Sequence, residues 1–229
     1  MSSTVPRKDG GVEVTPSLAD IFGGGSDSET VFQNDYDVQK LSFCGMELKV
    51  RQFGWHEANA NQVWPGTFTL AEYLSQAEMI ARYSTRLTLE LGAATGALAL
   101  YLKMKGFQHI VTSDIADGEV VEQNIAYNFR LNNQEPCLHV EHTWGEAWPE
   151  EKLSAASVEI IIASDILLYV KQYANLVKSL ECFFAAGTKE FIMSWNRRIS
   201  TTPIFFAMMK DAGFEVQQLP KCLYIFTKP

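Results

Sequence analysis

From Arg86 to the C-terminus, short runs rich in Val, Ile and Leu alternate with longer runs whose apolar residues recur at helical spacing. The strand-like runs are "RLTLEL", "HIVTSDI", "CLHVEH", "VEIIIASDI", "EFIMSW", "FEVQQL" and "CLYIFTK". The helix-like runs are "ALALYLKMKG", "VVEQNIAYNFRLNN", "YANLVKSLECFFAAG" and "TPIFFAMMKDAG". Strands dominated by such residues need cover on both faces, the condition of a mainly parallel sheet between two layers of helices. Only Pro220 and Lys221 separate the last two strands, too few residues for a parallel crossover. These two strands must pair antiparallel or leave the sheet, and the expectation is a sheet with an antiparallel strand at one edge. The predicted fold class is α/β, Rossmann-like.

Upstream, "YDVQKLSFCGMELKVRQF" places β-prone runs on either side of Cys44-Gly45 and predicts a hairpin over about residues 36–55. "TFTLAEYLSQAEMIAR" predicts one helix from Thr67 to about Arg82, with Pro65-Gly66 as its start signal. Residues 1–30, with "GGGSDS" and little apolar periodicity, read as a disordered tail. Residues 31–229 are then one domain with the hairpin as its N-terminal extension. Apolar residues make up 47% and charged residues 20%, as in soluble globular chains. No apolar run is long enough to cross a membrane, and "MSSTVPRKDGGVEV" has no signal-peptide stretch, so neither a membrane partner nor export is expected. The four cysteines are widely spaced without a CxxC pair. That disfavours a metal site and a disulfide framework, and suits the reducing cytoplasm or nucleus. The net charge of −8 disfavours a nucleic-acid partner, which needs clustered Lys and Arg, and would attract a basic protein segment. The sequence carries no oligomer signal, and a monomer is expected.

The turn in "LTLELGAATGALALYL" joins the first of these strands to the first of these helices. In an open parallel sheet, ligands bind beyond such strand ends. Glycines there permit positive φ, and the helix that follows offers unpaired N–H groups. A dinucleotide fingerprint counted from Gly92 would need glycine where Ala94 and Ala97 stand, and no P-loop is present. The pattern E-x-G-x-x-x-G, from Glu90 through Gly92 to Gly96, is followed by Asp114 at the end of the next strand. Asp114 can accept both ribose hydroxyls, and Glu90 stands near the amino-acid end of such a ligand. A nucleoside joined to a zwitterionic amino acid, as in S-adenosyl-L-methionine, fits these groups. The same turn also occurs as a plain corner in α/β proteins without this ligand, and by itself it leaves both readings open.

"QVWPGTFTLAEYL", "LELGAATGALALYL", "VTSD", "HTWGEAWP" and "IIIASDILLYV" occur in that order. Together they resemble the seven-strand methyltransferases of the lysine-methylating group called methyltransferase-like families 21 and 16, over residue 36 to the C-terminus. The resemblance implies a seven-stranded sheet and S-adenosyl-L-methionine as methyl donor, leaving S-adenosyl-L-homocysteine. It also implies a lysine side chain of a cytosolic or nuclear protein as acceptor. It implies that Trp64 closes over the cofactor, and that Gly92, Ala93 and Ala94 pass its methionine portion in the loop ending at Gly96. It makes Asp114, with Ile115 beside it, the ribose-binding acid, places Trp144 beside the adenine, and puts the Ser164 backbone at the cofactor's border. Packing alone would also explain Trp64 and Trp144, and Asp114 has a second reading as cap of the helix beginning near Asp117.

Two positions depart from the family pattern. Ala94 replaces the middle glycine of G-A-G-T-G, which costs of order 1 kcal/mol if φ there is positive. The Asp-x-x-Tyr signature reads "DILLYV", so Leu168 holds the tyrosine position and Tyr169 follows one residue later. In a helix that step turns the side chain by about 100°. Asp165 is the first candidate for steering an acceptor ammonium, with a helix N-cap as its alternative, and Tyr169 is the candidate flank of the acceptor channel. Asn196 and Arg197 of "SWNRR", and His56 and Glu57 before "VWP", are further rim candidates. Arginine, histidine or a small molecule as acceptor, and a non-catalytic cofactor-binding module, are the alternatives.

Overall fold

The computed structural model describes residues 36–197 and 199–229; the tail expected over residues 1–30 lies outside the described residues, as does Arg198. The hairpin forms as expected. Strands β1 (Tyr36–Phe43) and β2 (Met46–Phe53) pair antiparallel, with Phe43 opposite Met46. Cys44 and Gly45 turn between them at φ +47° and +84°. Two positive φ values are what a two-residue type I′ turn demands.

The expected single helix over 67–82 is instead two, α1 (Pro65–Leu74) and α2 (Ala77–Tyr83). Gln76 is extended, at ψ 141°, and breaks the hydrogen-bond ladder. The apolar periodicity does not register the break, because Leu70, Leu74, Met79 and Tyr83 on both sides of it enter one buried cluster. Pro65 is the first residue of α1, where its missing N–H costs nothing.

The remaining elements alternate. They are β3 (Thr88–Leu91), α3 (Ala97–Met104), β4 (Ile110–Asp114), α4 (Val120–Leu131), β5 (Leu138–Glu141), β6 (Ile160–Ser164), α5 (Tyr173–Ala186), β7 (Glu190–Ser194), α6 (Thr202–Asp211), β8 (Glu215–Leu219) and β9 (Leu223–Thr227). One seven-stranded sheet has the order β5-β4-β3-β6-β7-β9-β8. The antiparallel strand is β9, which inserts between β7 and β8, so β8 forms the edge. Alternate residues face opposite layers: Ile160 and Ile162 of β6 pack with α1 and α3, Ile161 and Ala163 with α5.

The hairpin is fastened to the sheet by Asn124 and Asn128 of α4 and by Asn132 at its C-cap, spaced i, i+4 and i+8. Lys49 N–H donates to Asn132 Oδ1 at 2.9 Å, and Arg51 N–H to Asn128 Oδ1 at 2.7 Å. The amide groups of Asn132, Asn128 and Asn124 donate back to the carbonyls of Lys49 and Arg51. The outer edge of β2 is thereby paired by side chains rather than by another strand. Asn128 also donates to Thr95 O at 2.9 Å, so the same residue steadies the turn after β3.

Candidate active site

Strand order reverses between β3 and β6, and a cleft of about 720 Å³ opens beyond their C-terminal ends. Three carboxylates line it, Glu57, Asp114 and Asp165, against one lysine, Lys171. Such a wall favours a cationic ligand. A smaller cavity lies behind the turn after β3 and shares Trp64, Gly92, Ala94 and Ser164 with the cleft.

The turn after β3 reaches the cleft through Gly92 and Ala94. A Cβ on Gly92 would sit 2.8 Å from Ile166 Cγ2 and 3.8 Å from Trp144 Cζ2, so glycine there keeps the cleft open. Ala93 and Glu90 line only the smaller cavity. Gly96 lies in the lining of neither; it caps α3 at φ +70°, and a Cβ there would meet Ile125 at 2.8 Å. Ala94 stands at φ +50°, the left-handed region, so its methyl group carries the backbone cost of the missing glycine. Ala94→Gly relieves about 1 kcal/mol of that strain but loosens the unfolded chain by a comparable amount. The expected melting temperature therefore changes by less than about 4 °C, as thermal denaturation would show.

Glu90 is 2% exposed, and its Oε2 accepts the N–H of Ala99 in the first turn of α3 at 3.0 Å. Burial pushes its carboxyl up to about 8; the Ala99 N–H opposes this and the nearby Asp114 adds to it. The folded state thus keeps a proton that the unfolded chain releases above about pH 4.5. Stability then falls as pH rises between about 4.5 and 8. Glu90→Gln removes this dependence, and the variant is expected to melt higher than the parent at about pH 8. Melting curves across that window check it.

Asp114 is buried at the end of β4, and its two oxygens accept backbone N–H groups from Ala94 at 2.7 Å and Ile115 at 2.8 Å. Burial raises its carboxyl above the usual range, while these two donors pull it back. Asp114 does not cap the next helix; Asp117 does, accepting the Val121 N–H. Asp114 and Ile115 both line the cleft, as does Trp144, which faces Gly92. Trp144 and Trp148 of this loop both pack against the core; Trp148 lies edge-on to Phe183 with its indole N–H on Leu153 O.

Asp165 follows β6 at φ +53° and is 3% exposed. It caps a distant helix rather than its own segment: Oδ2 accepts the Gly66 N–H of α1 at 2.6 Å. Its Oδ1 is buried without a hydrogen-bond partner. Burial raises this carboxyl too, opposed first by the Gly66 N–H, then by Arg197 and by the backbone N–H of Asn196. Ser164 lines the cleft beside it, hydrogen-bonded through its hydroxyl to Thr67 at 3.0 Å. The residues after Asp165 form a turn rather than a helix, so Leu168 and Tyr169 both reach the cleft.

The segment 57–60 roofs the cleft, with Trp64 at its end. His56 is outside the lining; its Nδ1 accepts the Ala58 N–H, which leaves Nε2–H to pair with Asp117 at 2.9 Å. The Arg197 guanidinium lies 4.3 Å from the centre of the Trp64 ring, and Asn196 accepts from the Cys222 thiol. Among the described residues, no cluster of His, Cys, Asp and Glu could hold a metal ion. Sequence reasoning passed over Asn59, Ala60 and Ile166, because neutral loop residues carry no chemical signal until the chain folds.

Residues 43–212 match the family described as lysine methyltransferase. The chain belongs to that family. As a lysine methyltransferase it uses S-adenosyl-L-methionine as methyl donor. It is 24% identical over 183 residues to EEF1A lysine methyltransferase 3 of Xenopus tropicalis, covering 77% of each chain. It is 28% identical over 148 residues to a protein N-terminal and lysine N-methyltransferase of Aspergillus fumigatus, covering 60% of this chain and 56% of that one. A T. Thermophilus 16S rRNA N2 methyltransferase, solved with AdoMet and guanosine, shares the fold at TM-score 0.60 and 18% identity, over 84% of this chain and half of that one. The residues present fit the cofactor: the cleft is acidic, Gly92 leaves it unobstructed, and Asp114 and Trp144 stand on its wall.

Proposed function

We propose that this lysine methyltransferase modifies a lysine side chain within a basic segment of a cytosolic or nuclear protein. The observation that carries the reading is the buried Asp165, whose Oδ1 has no partner, in the cleft that Tyr169 and Trp64 also line. An unpaired carboxylate oxygen in a cleft that also presents aromatic rings suits an ammonium group. The bound cofactor supplies a methyl group on a sulfonium, already activated for in-line displacement. The chain's own work is to position and to exclude water. A lysine amine, with a reference pKa of about 10.4, arrives protonated and must shed its proton before it attacks. Asp165 receives the cation and fixes its approach, and Asp114 holds the donor's ribose while Trp144 covers its adenine. The four free cysteines suit a reducing compartment, and we expect a monomer.

Incubating the protein with labelled methyl donor and a cell lysate tests this reading. Hydrolysis of the labelled bands is expected to release methyl-lysine. Label confined to an N-terminal amine, to arginine or histidine, or to small molecules would overturn the choice of acceptor.

A further inference from the structure

Asn59 sits at the top of the cleft at φ +58°, the left-handed region that asparagine tolerates better than most residues. That conformation aims its two polar ends in different directions. Its side-chain amide donates to the Tyr169 hydroxyl, and its main-chain carbonyl accepts the Trp64 indole N–H at 3.0 Å. The Tyr169 hydroxyl in turn donates to Glu57 O at 3.3 Å. Trp64 carries Arg197 on its ring face. A continuous chain of contacts therefore runs from the loop after β6, through the roof, to the loop after β7.

We infer that Asn59 is a positioning residue whose bridge from Tyr169 to Trp64 holds the roof segment down over the bound cofactor. The reason is mechanical. The roof is a stretch without regular structure between β2 and α1. It is tied to β2 through Asn61, which pairs with the Phe53 backbone, and through the Val63 N–H on Gln52 Oε1, and to the loop after β4 by His56 on Asp117. The Asn59 bridge adds a tie on the acceptor side, to the loop after β6. Without the side-chain arm the roof loses its contact with Tyr169, and the residue-59 carbonyl that accepts the Trp64 indole N–H is no longer held in place. Tyr169 has 44% of its surface exposed and gains little from burial, so its hydroxyl is what fixes the ring. This gives the tyrosine that stands one residue beyond its family position a use: it reaches the roof, which a side chain at Leu168 does not do through a hydroxyl.

The inference deepens the proposed function and rests on cofactor occupancy of the cleft, so the test reads cofactor binding directly. Calorimetric titration of S-adenosylhomocysteine into the parent, Tyr169→Phe, Asn59→Gly and the double variant is the experiment. Glycine keeps the left-handed backbone while removing the side chain, so Asn59→Gly reports the bridge and not strain. Asn59→Gly is expected to bind about three- to tenfold more weakly, the effect of one hydrogen bond, and Tyr169→Phe at least as weakly, because it also loses the bond to Glu57 O. The double variant is expected to be no weaker than the worse single one, because both remove the same contact. Asn59→Asp can accept from the tyrosine hydroxyl only by taking the proton now given to Glu57 O, and is expected to recover part of the affinity. In turnover, the KM for S-adenosylmethionine should rise more than kcat falls. Additive single effects, or a kcat loss in Tyr169→Phe with unchanged affinity, would overturn the bridge and make Tyr169 an acceptor contact alone. A parent that binds no S-adenosylhomocysteine would instead sink the cofactor assignment of the cleft.

Discussion

Replacing Asp114 with alanine is expected to weaken S-adenosylhomocysteine binding about 100-fold or more and to remove methyl transfer at ordinary cofactor concentrations. The side chain does two jobs. Its oxygens accept the N–H groups of Ala94 and Ile115, which sets the backbone of both loops that face the cleft. In the proposed reading its remaining lone pairs would accept the ribose hydroxyls. Hydrogen bonds to a charged group contribute about 1.5–3 kcal/mol each, and about 2.7 kcal/mol is already 100-fold in affinity. Asp114→Asn should fall between, because one amide oxygen can serve only one of the two backbone donors while the amide nitrogen faces the other. Calorimetry on both variants, with circular dichroism to confirm folding, gives the measurement. Affinity within about threefold of the parent in the alanine variant would show that the ribose lies elsewhere.

Asp165 is expected to separate chemistry from stability. In Asp165→Asn the amide oxygen still accepts the Gly66 N–H, so α1 keeps its cap, but the unpartnered Oδ1 becomes an NH2 group that repels an ammonium. The kcat/KM for the protein acceptor should drop about 10- to 100-fold, with cofactor affinity within about threefold and little change in melting temperature. Asp165→Ala leaves the Gly66 N–H buried and unpaired as well, which costs a further 1–3 kcal/mol or so of stability. At about 2–4 °C per kcal/mol, thermal denaturation resolves the two variants. Gly66→Ala approaches the same acid from the other side. Its Cβ would lie 2.8 Å from Asp165 Oδ2 and 2.7 Å from Ser194 Oγ, so the carboxylate must move although it is chemically intact. Transfer rates in Asp165→Asn equal to the parent's would remove Asp165 from the reaction and leave it the cap of α1.

What could be read from the sequence divides by range. The strands and helices after Arg86 were legible because apolar periodicity is a local signal, and the Cys44-Gly45 hairpin was legible from its turn. The break at Gln76 was not, since the residues that pack on the core continue across it. Nor was the place of β9 inside the sheet, since strand order is decided by non-local pairing. Asp165 and Gly66 are 99 residues apart, and nothing near either announces their contact. The helical step that would have turned Tyr169 away from the cleft does not apply, because the chain there is a turn. One missed signal was readable: Asn124, Asn128 and Asn132 recur at the spacing of a single helix face, and polar residues on a face that would otherwise be apolar imply a backbone to satisfy.

A crystal structure of the protein with S-adenosylhomocysteine bound tests the account at its centre. The ribose hydroxyls are expected within hydrogen-bonding distance of Asp114, the adenine against Trp144, and the homocysteine sulfur pointing toward Asp165 beneath the roof held by Asn59. Density for the ligand outside this cleft, or inside it with the ribose turned away from Asp114, would contradict it.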